Sequence, residues 1–329
     1  MKISILGTGG WGTANAILLS RLGHDVTLWG RSADQVRQIM ESRSNPTYLP
    51  GAAIPDAVRL TASRDEAVDG ADVIALAAPS RFLGDVCRSF APLVKPNTLV
   101  VSLTKGLSEG SHMRMSELAG SILGTRRVVV LSGPSHAEEV ARGIPTAIVA
   151  ASTSMDDAQT VQHAWNGPTF RVYTSSDPIG VEMSGTVKNV MAIAVGCSDG
   201  LGFGDNTRAA LITRGLAEMT RFAQACGAEP QTMAGLSGVG DLIVTCTSRH
   251  SRNRAVGERL GRGEGIDAIL SSMKMVAEGV WNAHVVREMA MSLGVEMPIA
   301  NAVYSVCHEN LPVRRAISML MGRPLKDES

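Results

Sequence analysis

Through the first half of the chain, short runs of consecutive apolar residues alternate with segments of helical periodicity. Lys2–Leu6 predicts a strand, Thr13–Leu22 a helix and Val26–Trp29 a second strand, with Gly23-His24-Asp25 as the turn between the last two. Further strands are expected at Val58–Thr61, Asp72–Ala77, Thr98–Leu103, Arg127–Leu131, Thr146–Ala151 and Phe170–Tyr173. Helical patterns separate most of them, as at Ser63–Val68 and Glu109–Leu123. The run Val73-Ile74-Ala75-Leu76-Ala77-Ala78 is apolar at every position, which suits a strand of a parallel sheet covered on both faces. Strand alternating with helix predicts an α/β, Rossmann-type doubly wound sheet.

The alternation stops near Asp177-Pro178. Beyond it the helical patterns lengthen: Ile179–Cys197, Asn206–Cys226, Ser251–Gly261, Ala277–Leu293 and Ala300–His308. An all-α C-terminal domain is therefore expected, with the boundary in the interval 175–190. Residues 1–182 are assigned to the dinucleotide-binding domain and 183–329 to a helical substrate-binding domain. The tail after Pro324 reads as frayed.

Bulk properties narrow the class. With 329 residues, two domains are favoured over one, and 44% hydrophobic against 19% charged residues is the balance of a globular protein with a sizeable core. The 31 basic residues offset the 31 acidic ones without runs of like charge, which argues against nucleic acid as a partner. No apolar stretch approaches the roughly 18 residues of a membrane span, and no signal-peptide pattern precedes the first strand. A cytoplasmic protein is expected. Five cysteines, none in a C-x-x-C pair, read as reduced and mostly buried thiols. Seven histidines form no H-x-x-H or H-x-x-x-H pair, so no metal site is expected.

Gly7-Thr8-Gly9-Gly10-Trp11-Gly12 fits G-x-G-x-x-G, directly after a strand and opening a helix, the context that makes this motif a dinucleotide loop. Gly7 permits the tight turn, Gly9 lets the backbone approach a pyrophosphate and Gly12 allows close packing of helix on strand. The helix start then directs free N–H groups and its dipole at the phosphates. The second strand ends Leu28-Trp29-Gly30-Arg31, without the acidic residue that binds ribose hydroxyls. An arginine there can accept a 2′-phosphate, so the cofactor is NAD or NADP.

Four later segments carry candidate chemistry. Lys105 follows the strand at Thr98–Leu103, on the edge where open α/β sheets bind ligands, although a surface lysine would look the same. Ser132-Gly133-Pro134-Ser135-His136 again ends a strand, with Ser135 and Glu138 spaced as a capping box. Lys188 lies among Val187, Val190, Met191 and Ile193. It is either a snorkelling helix lysine or a desolvated one with a lowered pKa, able to act as a base. Asp241, between a glycine and an apolar run, is a carboxylate in need of a partner. Arg252 and Asn253 offer a forked cation and an amide suited to a phosphate, or are ordinary helix-surface groups.

Taken in order, residues 7–14 (G-T-G-G-W-G-T-A), 104–106 (T-K-G), 133–143 (G-P-S-H-A-E-E-V-A-R-G), 187–190 (V-K-N-V), 199–215 (D-G-L-G-F-G-D-N-T-R-A-A-L-I-T-R-G), 238–246 (G-V-G-D-L-I-V-T-C), 251–254 (S-R-N-R) and 277–280 (A-E-G-V) resemble bacterial NAD(P)-dependent glycerol-3-phosphate dehydrogenase nearly end to end. The resemblance implies interconversion of sn-glycerol 3-phosphate and dihydroxyacetone phosphate, supplying glycerol 3-phosphate for phospholipid synthesis, by a homodimer. It implies that Lys188 is the proton acceptor, with Lys105 and Asp241 beside it in the chemistry. Lys105, Gly133, Ser135, Asp241, Ser251, Arg252 and Asn253 would contact the phosphorylated substrate. Gly7, Gly9, Gly10, Trp11, Gly12, Arg31, Lys105, Ala137, Arg252, Val276 and Glu278 would contact the cofactor. Two departures from the family's pattern stand out: His136, where an aromatic or apolar residue is expected, and Cys197-Ser198, where small apolar residues are usual.

Overall fold

The computed structural model describes residues 1–273, 276–325, 327 and 328. Among the described residues ten strands are formed: β1 (Lys2–Leu6), β2 (Asp25–Trp29), β3 (Ser44–Asn45), β4 (Leu49–Ala53), β5 (Arg59–Thr61), β6 (Val73–Leu76), β7 (Leu99–Ser102), β8 (Val128–Ser132), β9 (Thr146–Ala151) and β10 (Phe170–Ser175). Eight of them build one sheet in the order β10-β9-β8-β7-β6-β1-β2-β5, while β3 and β4 form a separate antiparallel pair. Within β6, Val73 and Ala75 join the core cluster on one side of the sheet, and Ile74 and Leu76 the cluster on the other. The all-apolar run thus reflects burial on both faces.

The sheet is not parallel throughout, as the sequence pattern suggests. β9 pairs antiparallel with β8, and β10 runs parallel to β9. The cause is the short connection, whose one helix, Ala137–Ala141, has five residues. At 1.5 Å per residue it advances about 7.5 Å, less than half of the roughly 17 Å spanned by a five-residue strand. The chain therefore re-enters the sheet from the end at which it left. As a result the Ser132–His136 turn and its helix stay at the ligand edge.

A second correction concerns the helix expected at Glu109–Leu123, which begins only at Met115. Gly110 and His112 take positive φ values of 76° and 54°, Leu107 bridges Arg114, and the amide of Met113 donates to Ser108 Oγ. The six residues before Met115 make a tight reversal instead.

The second half is helical among the described residues. Its axis is the long helix Pro178–Gly200, started by Pro178 at its first turn and capped by Asp177, whose carboxylate accepts from the amide of Gly180 at 2.8 Å. This helix begins inside the expected boundary interval, and residue 182 already lies within it. Helix Arg252–Gly261 crosses it backbone to backbone. A Cβ on Gly196 would lie 2.0 Å from the Arg254 carbonyl oxygen, and one on Gly257 2.0 Å from that of Ile193. Neither position tolerates a side chain. Cys197 and Ser198, the unusual pair, sit in this packing layer, both buried.

All five cysteines are free; four are buried and Cys226 is half-buried. Burial pushes the thiols of Cys87, Cys197, Cys246 and Cys307 up to about 12, so they pack as small apolar groups. Leu325 is fully exposed, whereas Lys326 and Ser329 of the tail expected to fray lie outside the described residues. No helix among the described residues is long and apolar enough to cross a membrane.

Candidate active site

The glycine loop has the shape that the motif requires. Gly7 lies at φ 133°, and a Cβ there would meet the Ala77 carbonyl oxygen at 2.8 Å. A Cβ on Gly12 would stand 2.0 Å from the Gly7 carbonyl oxygen, so helix Gly10–Arg21 can approach β1 only without one. At Gly9 nothing lies within 4 Å, which leaves the approach to the backbone open. Gly9 is also the N-cap, and no side chain satisfies the first N–H groups of the helix. An open cradle of unpaired N–H groups at the positive end of a helix dipole fits a dinucleotide pyrophosphate. Behind the loop, Asn45 of β3 donates to the Thr8 carbonyl at 2.8 Å and to Thr13 Oγ1 at 2.9 Å, clamping it from the far side.

Two of the other cofactor candidates line the cradle. Ala137 Cβ is 3.8 Å from where a Gly10 Cβ would be, and Trp11 is half-buried against the sheet core. Arg31 is exposed beyond the end of β2. Glu278 opens helix Glu278–Ser292 and accepts from the Ser80 amide at 3.1 Å and hydroxyl at 2.5 Å, joining the helical half to the end of β6. The Val276 carbonyl accepts from Arg252 at 2.9 Å.

The chemistry gathers where the long helix meets the sheet edge. Lys188 is one turn along that helix from Gly185. The stem of Lys105 packs on the helix at Gly185, where a Cβ would stand 3.5 Å from it, at ordinary van der Waals distance. Lys105 Nζ then donates to Asp241 at 2.7 Å and to the Gly133 carbonyl at 3.3 Å. Lys188 Nζ donates to the other Asp241 oxygen at 2.5 Å and to Thr245 Oγ1 at 2.7 Å. Asp241 is 1% exposed, so its charge is stable only because both ammonium groups hold it. It stands directly after a π-helical turn, Leu236–Gly240, and begins helix Asp241–Thr247. Such turns reposition the next side chain.

The two Asp241 contacts set the titration of the cluster. Burial lowers the pKa of Lys188, the Asp241 carboxylate raises it and Lys105 lowers it again; it stands at about 7 instead of 10.5. For Asp241 burial works upward, but Lys105 and Lys188 override it and hold the carboxyl below its usual range. Near neutral pH the site thus holds a fixed carboxylate beside an amine poised between its two protonation states.

Some assignments change. Ser135 does not cap the helix after it: His136 is the N-cap, and Ser135 Oγ turns back to the Gly133 carbonyl at 2.9 Å. The helix starts one residue later than a capping box requires. Ser251 does cap, accepting from the Arg254 amide at the start of helix Arg252–Gly261. Asn253 is buried, bridging Asn189 Oδ1 and the Gly279 amide at 2.9 Å each, while Arg252 is exposed. His136 faces the cluster: burial first, then the Lys188 ammonium, pull its pKa below the ordinary histidine value, and the imidazole is neutral.

Thr245 and Asn189 escaped sequence reasoning. Thr245 was legible as a helical neighbour, four residues after Asp241, whereas Asn189, adjacent to Lys188 and so turned to another face of its helix, gave no such signal.

Two family models cover the chain: the N-terminus of NAD-dependent glycerol-3-phosphate dehydrogenase over residues 2–158, and its C-terminus over residues 177–318. A glycerol-3-phosphate dehydrogenase [NAD(P)+] of Chlorobium luteolum is 48% identical over 331 aligned residues, covering 100% of this chain and 99% of the relative. One from Geobacter metallireducens is also 48% identical, covering 99% and 98%. The crystal structure of glycerol-3-phosphate dehydrogenase from Coxiella burnetii superposes with a TM-score of 0.94 at 38% identity, over 98% of this chain and 99% of that one.

Proposed function

This chain belongs to the NAD-dependent glycerol-3-phosphate dehydrogenase family, and from that premise we propose that Lys188, held by Asp241 and flanked by Lys105, moves the proton as it interconverts sn-glycerol 3-phosphate and dihydroxyacetone phosphate with NAD(P). The observation that carries this reading is the buried Lys188–Asp241–Lys105 cluster at the sheet edge.

Oxidation requires a base for the C2 hydroxyl. The neutral amine of Lys188 takes that proton, and its ammonium returns one to the C2 oxygen during reduction. A dinucleotide held by the Gly7–Gly12 loop would supply or take up the hydride. Asp241 and Thr245 fix the direction of Lys188 Nζ through the two hydrogen bonds described. Lys105 stabilises negative charge developing on the C2 oxygen. Arg252 binds the phosphate: one guanidinium nitrogen is anchored on Val276, which leaves others to point outward. Asn253 offers its second amide hydrogen to the same group. Gly133 and Ser135 border the substrate from the turn that also meets Lys105, and Ser251 sets the start of the helix carrying Arg252. Holding the phosphate aligns C2 for transfer.

The product supplies glycerol 3-phosphate for phospholipid synthesis. Free, high-pKa thiols suit the cytosol. Helix Val313–Met321 buries only Ala316 and leaves Met319 and Met321 61% and 82% exposed, which supports a homodimer covering it. We place the domain division at the start of the long helix.

The substrate reading is tested by following NAD(P)H absorbance with dihydroxyacetone phosphate and, separately, with keto acids. Turnover of the phosphate alone is expected. A two-domain hydroxy-acid or keto-acid reductase would share the dinucleotide domain, and turnover of the acids without the phosphate would overturn the assignment.

A further inference from the structure

Glycerol 3-phosphate and dihydroxyacetone phosphate each present three polar groups: the C2 oxygen, the C3 phosphate and the C1 hydroxyl. The lysine cluster meets the first, and Arg252 with Asn253 the second. The C1 hydroxyl is left, and enclosing it without a hydrogen bond would weaken binding. Most polar side chains around the cluster are already engaged. Ser135 Oγ donates to the Gly133 carbonyl at 2.9 Å, Thr245 Oγ1 to the Asp241 carbonyl at 2.6 Å, and Asn189 Oδ1 accepts from Asn253 at 2.9 Å. His136 differs: its Nε2 is buried and has no hydrogen-bond partner among the described residues. Ser132 Oγ also lacks one, but it packs on the long helix at Gly185 beside the Lys105 stem. Ser132 is 4% exposed there, whereas His136 as a whole is half-buried.

The backbone holds this imidazole in place. His136 is the N-cap of helix Ala137–Ala141, and its carbonyl accepts from the amides of Glu139 and Val140 at 3.1 Å each. The turn leading into it touches the cluster, since the Gly133 carbonyl accepts from Lys105 Nζ at 3.3 Å. On another side the His136 ring lies 5.9 Å, centre to centre, from that of His250. His250 stands one residue before Ser251, the N-cap of the helix that carries Arg252. The ring is thus bordered by the proton-transfer cluster and by the phosphate-binding turn. Burial first, then the Lys188 ammonium, keep it neutral. A neutral imidazole has one donor and one acceptor nitrogen, and a hydroxyl both gives and takes a hydrogen bond. A phosphate dianion, which only accepts, matches it less well.

We propose that His136 binds the C1 hydroxyl of the substrate through its unpartnered ring nitrogen, so that this enzyme selects three-carbon phosphates bearing a hydroxyl at C1. The inference rests on the reading that places C2 at Lys188 and the phosphate at Arg252, and it adds a third point of attachment. With two points held, C2 can still turn about the line joining them; a third contact restrains that turn and sets which face meets the hydride. His136 stands where the family's pattern has an aromatic or apolar residue. The contact is therefore a specificity device of this chain and not a requirement of the reaction.

The test compares reduction of dihydroxyacetone phosphate with that of acetol phosphate, which carries a methyl group in place of the C1 hydroxymethyl. The full-length wild type is assayed beside His136→Phe and His136→Leu. The wild type is expected to favour dihydroxyacetone phosphate in kcat/KM by about tenfold or more, as one hydrogen bond provides. Each variant, lacking both ring nitrogens, should cut that preference by about tenfold. The change in the ratio is the readout, because intrinsic carbonyl reactivity and general damage to the site act alike on both terms. Either variant decides if the other fails to fold. A variant whose preference equals that of the wild type overturns the proposal. So does a wild type that reduces both phosphates equally well, which would leave the nitrogen a place for water alone. Reduction of neither phosphate overturns the substrate reading itself, and the contact with it.

Discussion

Replacing Lys188 by alanine is expected to lower kcat by roughly 10²–10⁴-fold in both directions, the range by which positioned proton transfer accelerates a reaction. Dinucleotide binding should survive, because the glycine loop lies on β1 and helix Gly10–Arg21 and shares no hydrogen bond with Lys188. The variant also leaves the buried Asp241 carboxylate with a single cation, Lys105. Some loss of thermal stability is therefore expected alongside the catalytic loss. Titration with NAD(P)H by fluorescence separates the two effects: an unchanged Kd with abolished turnover assigns the proton step. Near-normal turnover would show that Lys188 is not the base.

The second large effect is expected from Asp241→Asn. The substitution keeps the shape but removes the charge that raises the pKa of Lys188, so that pKa moves further below about 7. The sign follows directly. At neutral pH more Lys188 is the free amine, which serves oxidation, and less is the ammonium that reduction needs. Dihydroxyacetone phosphate reduction should fall more than glycerol 3-phosphate oxidation, and the pH at which reduction is lost should move down. Two ammonium groups left facing each other without a carboxylate also cost stability. Kinetics in both directions across the pH range check this. An unshifted profile with a uniform loss would assign Asp241 a purely structural role.

Much of this was legible before any coordinates. The central strands β6, β7 and β8 announce themselves because burial on both faces demands nearly unbroken apolar runs, whereas the short pair β3 and β4 carries no such signal and was not expected. Lys188 was conspicuous for the opposite reason: a charge amid Val187, Val190 and Met191 needs a partner. What was not legible depended on distances along the third dimension. The reversal of β9 follows from the length of a five-residue helix, which composition does not reveal. The late start at Met115 follows from His112 adopting a left-handed backbone, a conformation that a non-glycine residue rarely advertises. The meeting of Lys105 with Asp241 joins positions 136 residues apart, and no local pattern links them.

The central claim is that one amine, poised near neutrality, carries the proton both ways. It is tested most directly by the pH dependence of kcat/KM for glycerol 3-phosphate oxidation and dihydroxyacetone phosphate reduction on the same wild-type protein. Oxidation needs neutral Lys188, so its limb should rise with pH and level off above about 7; reduction needs the ammonium, so its limb should fall across the same interval. Opposed limbs with a shared apparent pKa near 7 are the predicted result. Limbs that run in the same direction, or inflections far from 7 in both, would contradict it.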